Sequence, residues 1–138
     1  MYDTLIFLPI LTLVSLTLGL YIYLAVAKAQ ASKLGQVNEE RRALYNDAWP
    51  ENVQKINNSI RNQFEIPVLF YILIFVNFSA ELIDITTHIL AWLFVASRFF
   101  HAYIHTGSNF IPLRRRFFMM GCFIIFAMIV VTAGKLLL

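Results

Sequence analysis

Charge is what this sequence most lacks. Only 14% of its 138 residues are Asp, Glu, Lys or Arg, against roughly 25% in an ordinary soluble domain. With 59% hydrophobic residues and a mean hydropathy of +0.69, the chain is too apolar for a small soluble fold, so its single domain shares its core with lipid. A net charge of +3 is too small to argue for nucleic acid, and the basic residues are not interleaved with aromatics on a polar face. Cysteine is nearly absent: the lone Cys122 lies in an apolar run, which excludes an intrachain disulfide and reads as a packing thiol. Histidine is scarce too. His101 and His105 stand at i,i+4, but no ligand cluster beyond Glu65 accompanies them, so a metal site has no support. A basic n-region is missing ahead of the first apolar run, which carries Asp3 instead. That run is also too long for a signal-peptide core, so it reads as a retained helix.

What the sequence has in abundance is long apolar runs. Leu5 to Ala27 is uncharged for 23 residues, enough for the roughly 20 that a spanning helix needs. The segment from Lys28 to Ile60 is the only extended polar one. Trp49-Pro50 interrupts it, because the residue before proline is pushed out of the helical region. It reads as an interfacial loop, partly helical, with Tyr45 and Trp49 near the headgroups. Ile66 to Ala80 is uncharged for only 15 residues, so a second spanning helix must begin near Arg61 or Asn62 and draw Glu65 to the membrane edge. A third helix takes in Arg98 and His101, and a fourth contains the 18 residues from Phe117 to Gly134. The expected fold is an all-α integral membrane four-helix bundle, with helices at about 5–27, 62–80, 85–105 and 115–136 and a loop over 28–60. Nine of the eleven Lys and Arg residues, counting Arg61, fall in the two loops on one side. The positive-inside rule then places those loops in the cytoplasm and both termini on the opposite face.

In this topology the start of helix two, the end of helix three and the start of helix four meet at one boundary. Arg61 and Glu65 are spaced i,i+4 and Asn62 and Glu65 i,i+3, one face of a continuous helix. Arg98, His101 and His105 share a face in the same way. Such a face is costly against acyl chains and should turn toward a neighbouring helix or a wet cleft. Glu65 offers a counter-charge for one arginine, which leaves other guanidinium groups to hold an anion through their forked donors. Each residue also has a plainer reading. Arg114, Arg115 and Arg116 are by themselves a topology signal, Arg61 a snorkelling side chain, Glu65 and Arg98 a structural ion pair, and His101 an interhelical hydrogen bonder.

Arg61-Asn62-x-x-Glu65-x-Pro67 opening one helix, Arg98-x-x-His101-Ala102 ending the next and arginine opening the last together resemble the MAPEG family, the membrane-associated proteins in eicosanoid and glutathione metabolism. The resemblance covers the whole chain. It implies a homotrimer of four-helix subunits with glutathione, as co-substrate, in a cleft between subunits. It also implies that Arg61, Asn62, Glu65, Arg98, His101 and His105 line that cleft, and that Arg114 or Arg115 stabilises the glutathione thiolate. A fixed cation lowers a thiol's pKa and so raises the nucleophile's fraction at neutral pH. A hydrophobic electrophile would enter from the bilayer. The chain departs from the family pattern at His105, often tyrosine in relatives, and at Asn58, where a further arginine is usual. The implied activity is a glutathione-dependent membrane transferase or peroxidase. The alternatives are a non-catalytic lipid-binding or scaffold member and, from another class, a small transporter, against which the edge position of Glu65 argues.

Overall fold

The computed structural model describes residues 3–138, and all of its regular structure is helical. After a 3-10 turn at Asp3–Ile6, α1 runs from Phe7 to Lys33. It continues past the expected end at residue 27, because nothing between Lys28 and Lys33 breaks a helix. Its 27 residues span about 40 Å at 1.5 Å per residue, more than the ~30 Å hydrocarbon core, so the last turns stand clear of lipid. Gly35 stops it. With φ at +64° it lets Gln36 N–H reach Ala31 C=O at 3.0 Å and its own N–H reach Ser32 C=O at 3.2 Å, the paired closure of a Schellman motif.

Residues 34–50 fold back as an ordered loop rather than a mobile connection. Asn38 N–H donates to Ala48 C=O at 3.0 Å. Arg41 pairs with Asp47 at 3.1 Å and Arg42 with Glu39 at 2.8 Å. Trp49 is buried in the core, with Lys28 Nζ 4.7 Å and Arg42 5.4 Å from its ring centroid, while Tyr45 is exposed. Of the two aromatics expected at the headgroups, Trp49 is instead the cation-faced anchor of the loop.

The helix expected from residue 62 begins only at Ile66, and most of a further helix lies in what was expected to be loop up to residue 60. α2 spans Glu51–Gln63 and α3 spans Ile66–Ser79. Pro67 occupies the second position of α3. Because it lacks an N–H, it takes no bond from the preceding turn, and the chain breaks at Phe64-Glu65. Glu65 therefore adopts φ −100°, ψ −102° as the residue before α3, not a place on a face shared with Arg61 and Asn62. The two segments still make one apolar stretch from Glu51 to Ser79, one of three long and apolar enough to cross a membrane, with Asp3–Lys33 and Ile111–Leu137. α4 (Ile85–Thr106) and α5 (Ile111–Leu137) complete the bundle. α5 begins four residues before the expected 115, so all three arginines are helical.

The core lies in two layers. Leu20, Leu24, Ala27 and Ala31 of α1 pack on Val53, Ile56 and Ile60 of α2, with Ala102 of α4 beside them. Towards the other end, Leu13, Phe70, Ile74, Phe94, Ile125 and Met128 meet from α1, α3, α4 and α5. Between apolar helices in lipid no hydrophobic force drives association, so close packing through small residues and interhelical hydrogen bonds carry it. Ala27, Ala31, Ala91 and Ala102 are fully buried, and Asn77 donates to Thr132 Oγ1 at 2.7 Å, tying α3 to α5.

The end opposite the basic loops is closed by a charged cap. Asp84 accepts from Thr87 N–H at 2.9 Å and receives Lys135 Nζ, from the last turns of α5, at 2.7 Å. Partial burial works against its charge, but the bonds from Lys135 and Thr87 outweigh this and lower its pKa from 3.8 to about 2. A carboxylate depressed on folding contributes stability above its unfolded pKa and loses it as pH falls toward the folded value. Asp84→Asn is accordingly expected to lower the thermal midpoint modestly at pH 7. It should also flatten the loss of stability between about pH 4 and pH 2, as read by thermal denaturation in detergent. The carboxylate is 45% exposed, so the effect belongs with partly solvated pairs, ~1 kcal/mol or less.

Candidate functional site

α4 supplies the spine of the site. Its buried face carries Ser97, Arg98, His101, Ala102 and His105, the helical repeat expected of one stripe. Arg98 is completely buried and is the largest fully buried side chain of the described residues. Its Nη2 lies 3.0 Å from His101 Nδ1. A guanidinium only donates, so Nδ1 accepts and His101 keeps its proton on Nε2. The His101 and His105 rings stand edge to face at 5.5 Å. The amide nitrogen of Asn62 lies 3.2 Å from His105 Nδ1, which ties α2 to the same face of α4.

α5 forms the other wall. Phe118 faces both Arg98, at 5.8 Å, and His101, at 5.9 Å. Gly121 is what lets the guanidinium lie against the helix: a Cβ there would sit 3.4 Å from Ser97 Oγ and 3.5 Å from both Arg98 Nη1 and Phe94 Cε2. Alanine fits at ordinary contact distance, but a larger side chain displaces the guanidinium. Gly121→Ala should therefore retain ligand binding, whereas Gly121→Leu should lose it and destabilise the bundle by ~1–3 kcal/mol through overpacking. Ligand titration and thermal denaturation of the two variants check this.

The turn between α4 and α5 aims the arginines. Asn109 takes the left-handed conformation, φ +52°, so that its N–H closes on Ile104 C=O at 2.7 Å while its Oδ1 accepts from Arg114 Nη1 at 2.6 Å. Lys55 of α2 reaches Gly107 C=O at 3.5 Å. Arg114 is half-buried, and its charge acts on both His101 and His105. Arg115 and Arg116 are exposed and line a groove of about 500 Å³ along α5 with Met119, Met120, Phe123 and Ile124. One arginine of the three is thus held by Asn109 at the turn, and two line the groove.

The expected residues are not all drawn together. Asn62, Arg98, His101, His105 and Arg114 converge. Arg61 is exposed, and so is Glu65, which lies within electrostatic reach of Arg98 but forms no ion pair among the described residues. The Glu65–Arg98 tie between helices is therefore not made among the described residues. Its physical reason is the break before Pro67, which removes Glu65 from the α2 face. His88 lies at the opposite end, near Asp84 and Trp92. Phe118 and Gly121 carry no signal in the sequence, since Gly19 and Gly134, also inside apolar helices, meet no neighbour.

Arg98 Nε and Nη1 are buried with no hydrogen-bond partner among the described residues. A buried cation with no paired carboxylate is costly, and the two nitrogens, on opposite edges of the guanidinium, remain as two separate donors for acceptor oxygens.

A helical bundle with three membrane-length apolar stretches and a buried arginine among histidines at one end is an integral membrane protein. A family model described as the MAPEG family matches residues 8–134, and the chain belongs to that family. No curated protein and no solved structure gives a significant match. Membership places the protein among membrane proteins of glutathione and eicosanoid metabolism.

Proposed function

We propose that this protein is a glutathione-dependent membrane transferase or peroxidase acting on hydrophobic electrophiles. The observation that carries the reading is the buried Arg98, whose Nε and Nη1 have no partner among the described residues, beside His101 and His105, the latter 3.2 Å from the Asn62 amide. Glutathione is an anionic tripeptide, and its carboxylates are acceptors of the kind that such an unpaired cation calls for. Arg98, His101, His105 and Asn62 hold one part of it. Arg61 and Glu65, exposed in the isolated chain, contribute once a neighbouring subunit covers them, in the homotrimer that MAPEG membership implies. Arg114, fixed by Asn109 at the turn, faces the thiol and favours its thiolate. The thiolate sulfur then bonds to the electrophilic carbon of the second substrate as the leaving group departs. With a hydroperoxide it attacks the terminal oxygen, the O–O bond breaks and the alcohol leaves, and a second glutathione then displaces water from the resulting sulfenic acid to give the disulfide. The groove along α5, apolar beyond Arg115 and Arg116, suits a lipid-soluble electrophile. The basic loops put this end in the cytoplasm by the positive-inside rule.

Purified protein titrated with glutathione by calorimetry, then assayed for conjugation with a hydrophobic aryl halide and for reduction of a lipid hydroperoxide, tests the reading. Saturable binding with turnover supports it. Saturable binding of anionic lipid into the Arg115 and Arg116 groove, with neither glutathione binding nor turnover, would establish the non-catalytic lipid-binding alternative instead. Native mass spectrometry checks the trimer.

A further inference from the structure

A second cleft opens between α1, α2 and α3, and its chemistry differs from that of the site around Arg98. It has a volume of about 270 Å³ and is lined by Leu18, Thr17 and Tyr21 of α1, Gln63 of α2, Phe64 of the break and Tyr71 of α3. No charged residue lines it. Gln63 is 2% exposed, and neither its amide oxygen nor its amide nitrogen has a hydrogen-bond partner among the described residues. Leaving both buried and unpaired costs on the order of 1–3 kcal/mol for each group. Ser59, one turn earlier on the same buried face of α2, also has an unpartnered hydroxyl. The terminal torsion of a glutamine is broad and soft, so a small rotation presents the amide to the cleft. The Thr17 hydroxyl donates to Leu13 C=O at 3.0 Å, which leaves its oxygen free to accept.

From this geometry we infer that the cleft binds a single-chain neutral lipid whose head both donates and accepts hydrogen bonds, such as a long-chain primary amide or alcohol. The Gln63 amide is complementary to such a head, giving one bond and taking one. An anionic head finds no cation here, and the cleft is too small for two acyl chains. The chain itself continues over Leu18, which is 61% exposed, into the surrounding lipid. The break at Phe64-Glu65 creates the opening, because α3 does not continue the α2 face that covers α1. This site is independent of the glutathione reading and stands or falls by itself.

A diazirine-bearing oleamide, photolysed with the full-length protein in detergent micelles, reads the site by peptide mapping. Label should concentrate in peptides covering residues 14–21 and 63–71 and be displaced by unlabelled oleamide but not by oleyl sulfate. Gln63→Leu should reduce that label about tenfold, the equivalent of ~1.4 kcal/mol for the lost hydrogen bonds. Leu18→Trp, which fills the cleft from an exposed position and leaves the amide in place, should abolish it. Label spread evenly over the apolar faces of all helices, or label at this cleft that both variants leave unchanged, overturns the proposal. Equal competition by oleyl sulfate overturns the neutral head.

Discussion

Arg98→Met is expected to weaken glutathione binding by about one to two orders of magnitude, the ~1.5–3 kcal/mol carried by hydrogen bonds to a charged group, while the thermal midpoint stays level or rises. The opposite signs follow from the surroundings of Arg98. It is wholly buried, its one protein bond runs to a neutral imidazole, and two of its nitrogens are unpaired. Removing a buried charge that lacks a carboxylate relieves desolvation, and methionine fills similar space with no polar atoms. Arg98→Lys should not rescue binding, since a compact ammonium neither spreads its donors over two edges of a plane nor lies flat against Phe118 and Gly121. Calorimetric titration with glutathione beside thermal denaturation separates the cases. If Arg98 were only a structural tie to His101, the midpoint would fall and binding would change no more than stability does.

How far the sequence reveals this site depends on which side of Pro67 one stands. Arg98, His101 and His105 are legible because α4 is uninterrupted there, so helical spacing translates directly into a shared face. Arg61, Asn62 and Glu65 are equally well spaced, but that spacing implies a face only if one helix carries all three. A proline at the second position of a helix is harmless and one in the middle is not. Where α3 begins is a tertiary matter, and the start at Ile66 separates Glu65 from its presumed companions. The same limit hid the contact of Gly121 with Arg98, which requires knowing how α5 sits on α4. α2 was more readable than the loop assignment over 28–60 suggests, since Val53, Ile56 and Ile60 repeat at helical intervals behind Pro50. Polar residues between them outweighed the pattern in a reading guided by spanning length.

The three arginines gain a division of labour that their adjacency conceals. All stand in the first turns of α5, where the helix dipole disfavours cations by ~0.3–1 kcal/mol each, so helix stability does not account for them. Topology accounts for a positive loop but not for the 2.6 Å bond from Arg114 to Asn109, nor for the strained left-handed backbone that holds Asn109 in place. Arg115 and Arg116 instead flank the apolar groove, where they suit the polar end of an amphiphile.

Arg114→Ala is therefore expected to cut conjugation at neutral pH by about tenfold, as a rise of one pKa unit in the bound thiol would do, with little change in glutathione affinity. The sign follows from which species reacts. The thiolate is the nucleophile, Arg114 favours it, and removing the cation moves the titration to higher pH. The rate of the variant should thus climb with pH and meet the wild type where both are fully ionised. Asn109→Ala should show a smaller shift in the same direction, because Arg114 loses its anchor while keeping its charge. Arg115→Ala and Arg116→Ala should leave the pH midpoint in place and raise KM for the hydrophobic substrate. The thiolate absorbance near the ultraviolet edge, followed against pH in each glutathione-loaded variant, reads the midpoint without relying on turnover. A midpoint that moves in Arg115→Ala and stays fixed in Arg114→Ala would transfer the thiolate role to the neighbouring residue and leave the Asn109 clamp a feature of the turn alone.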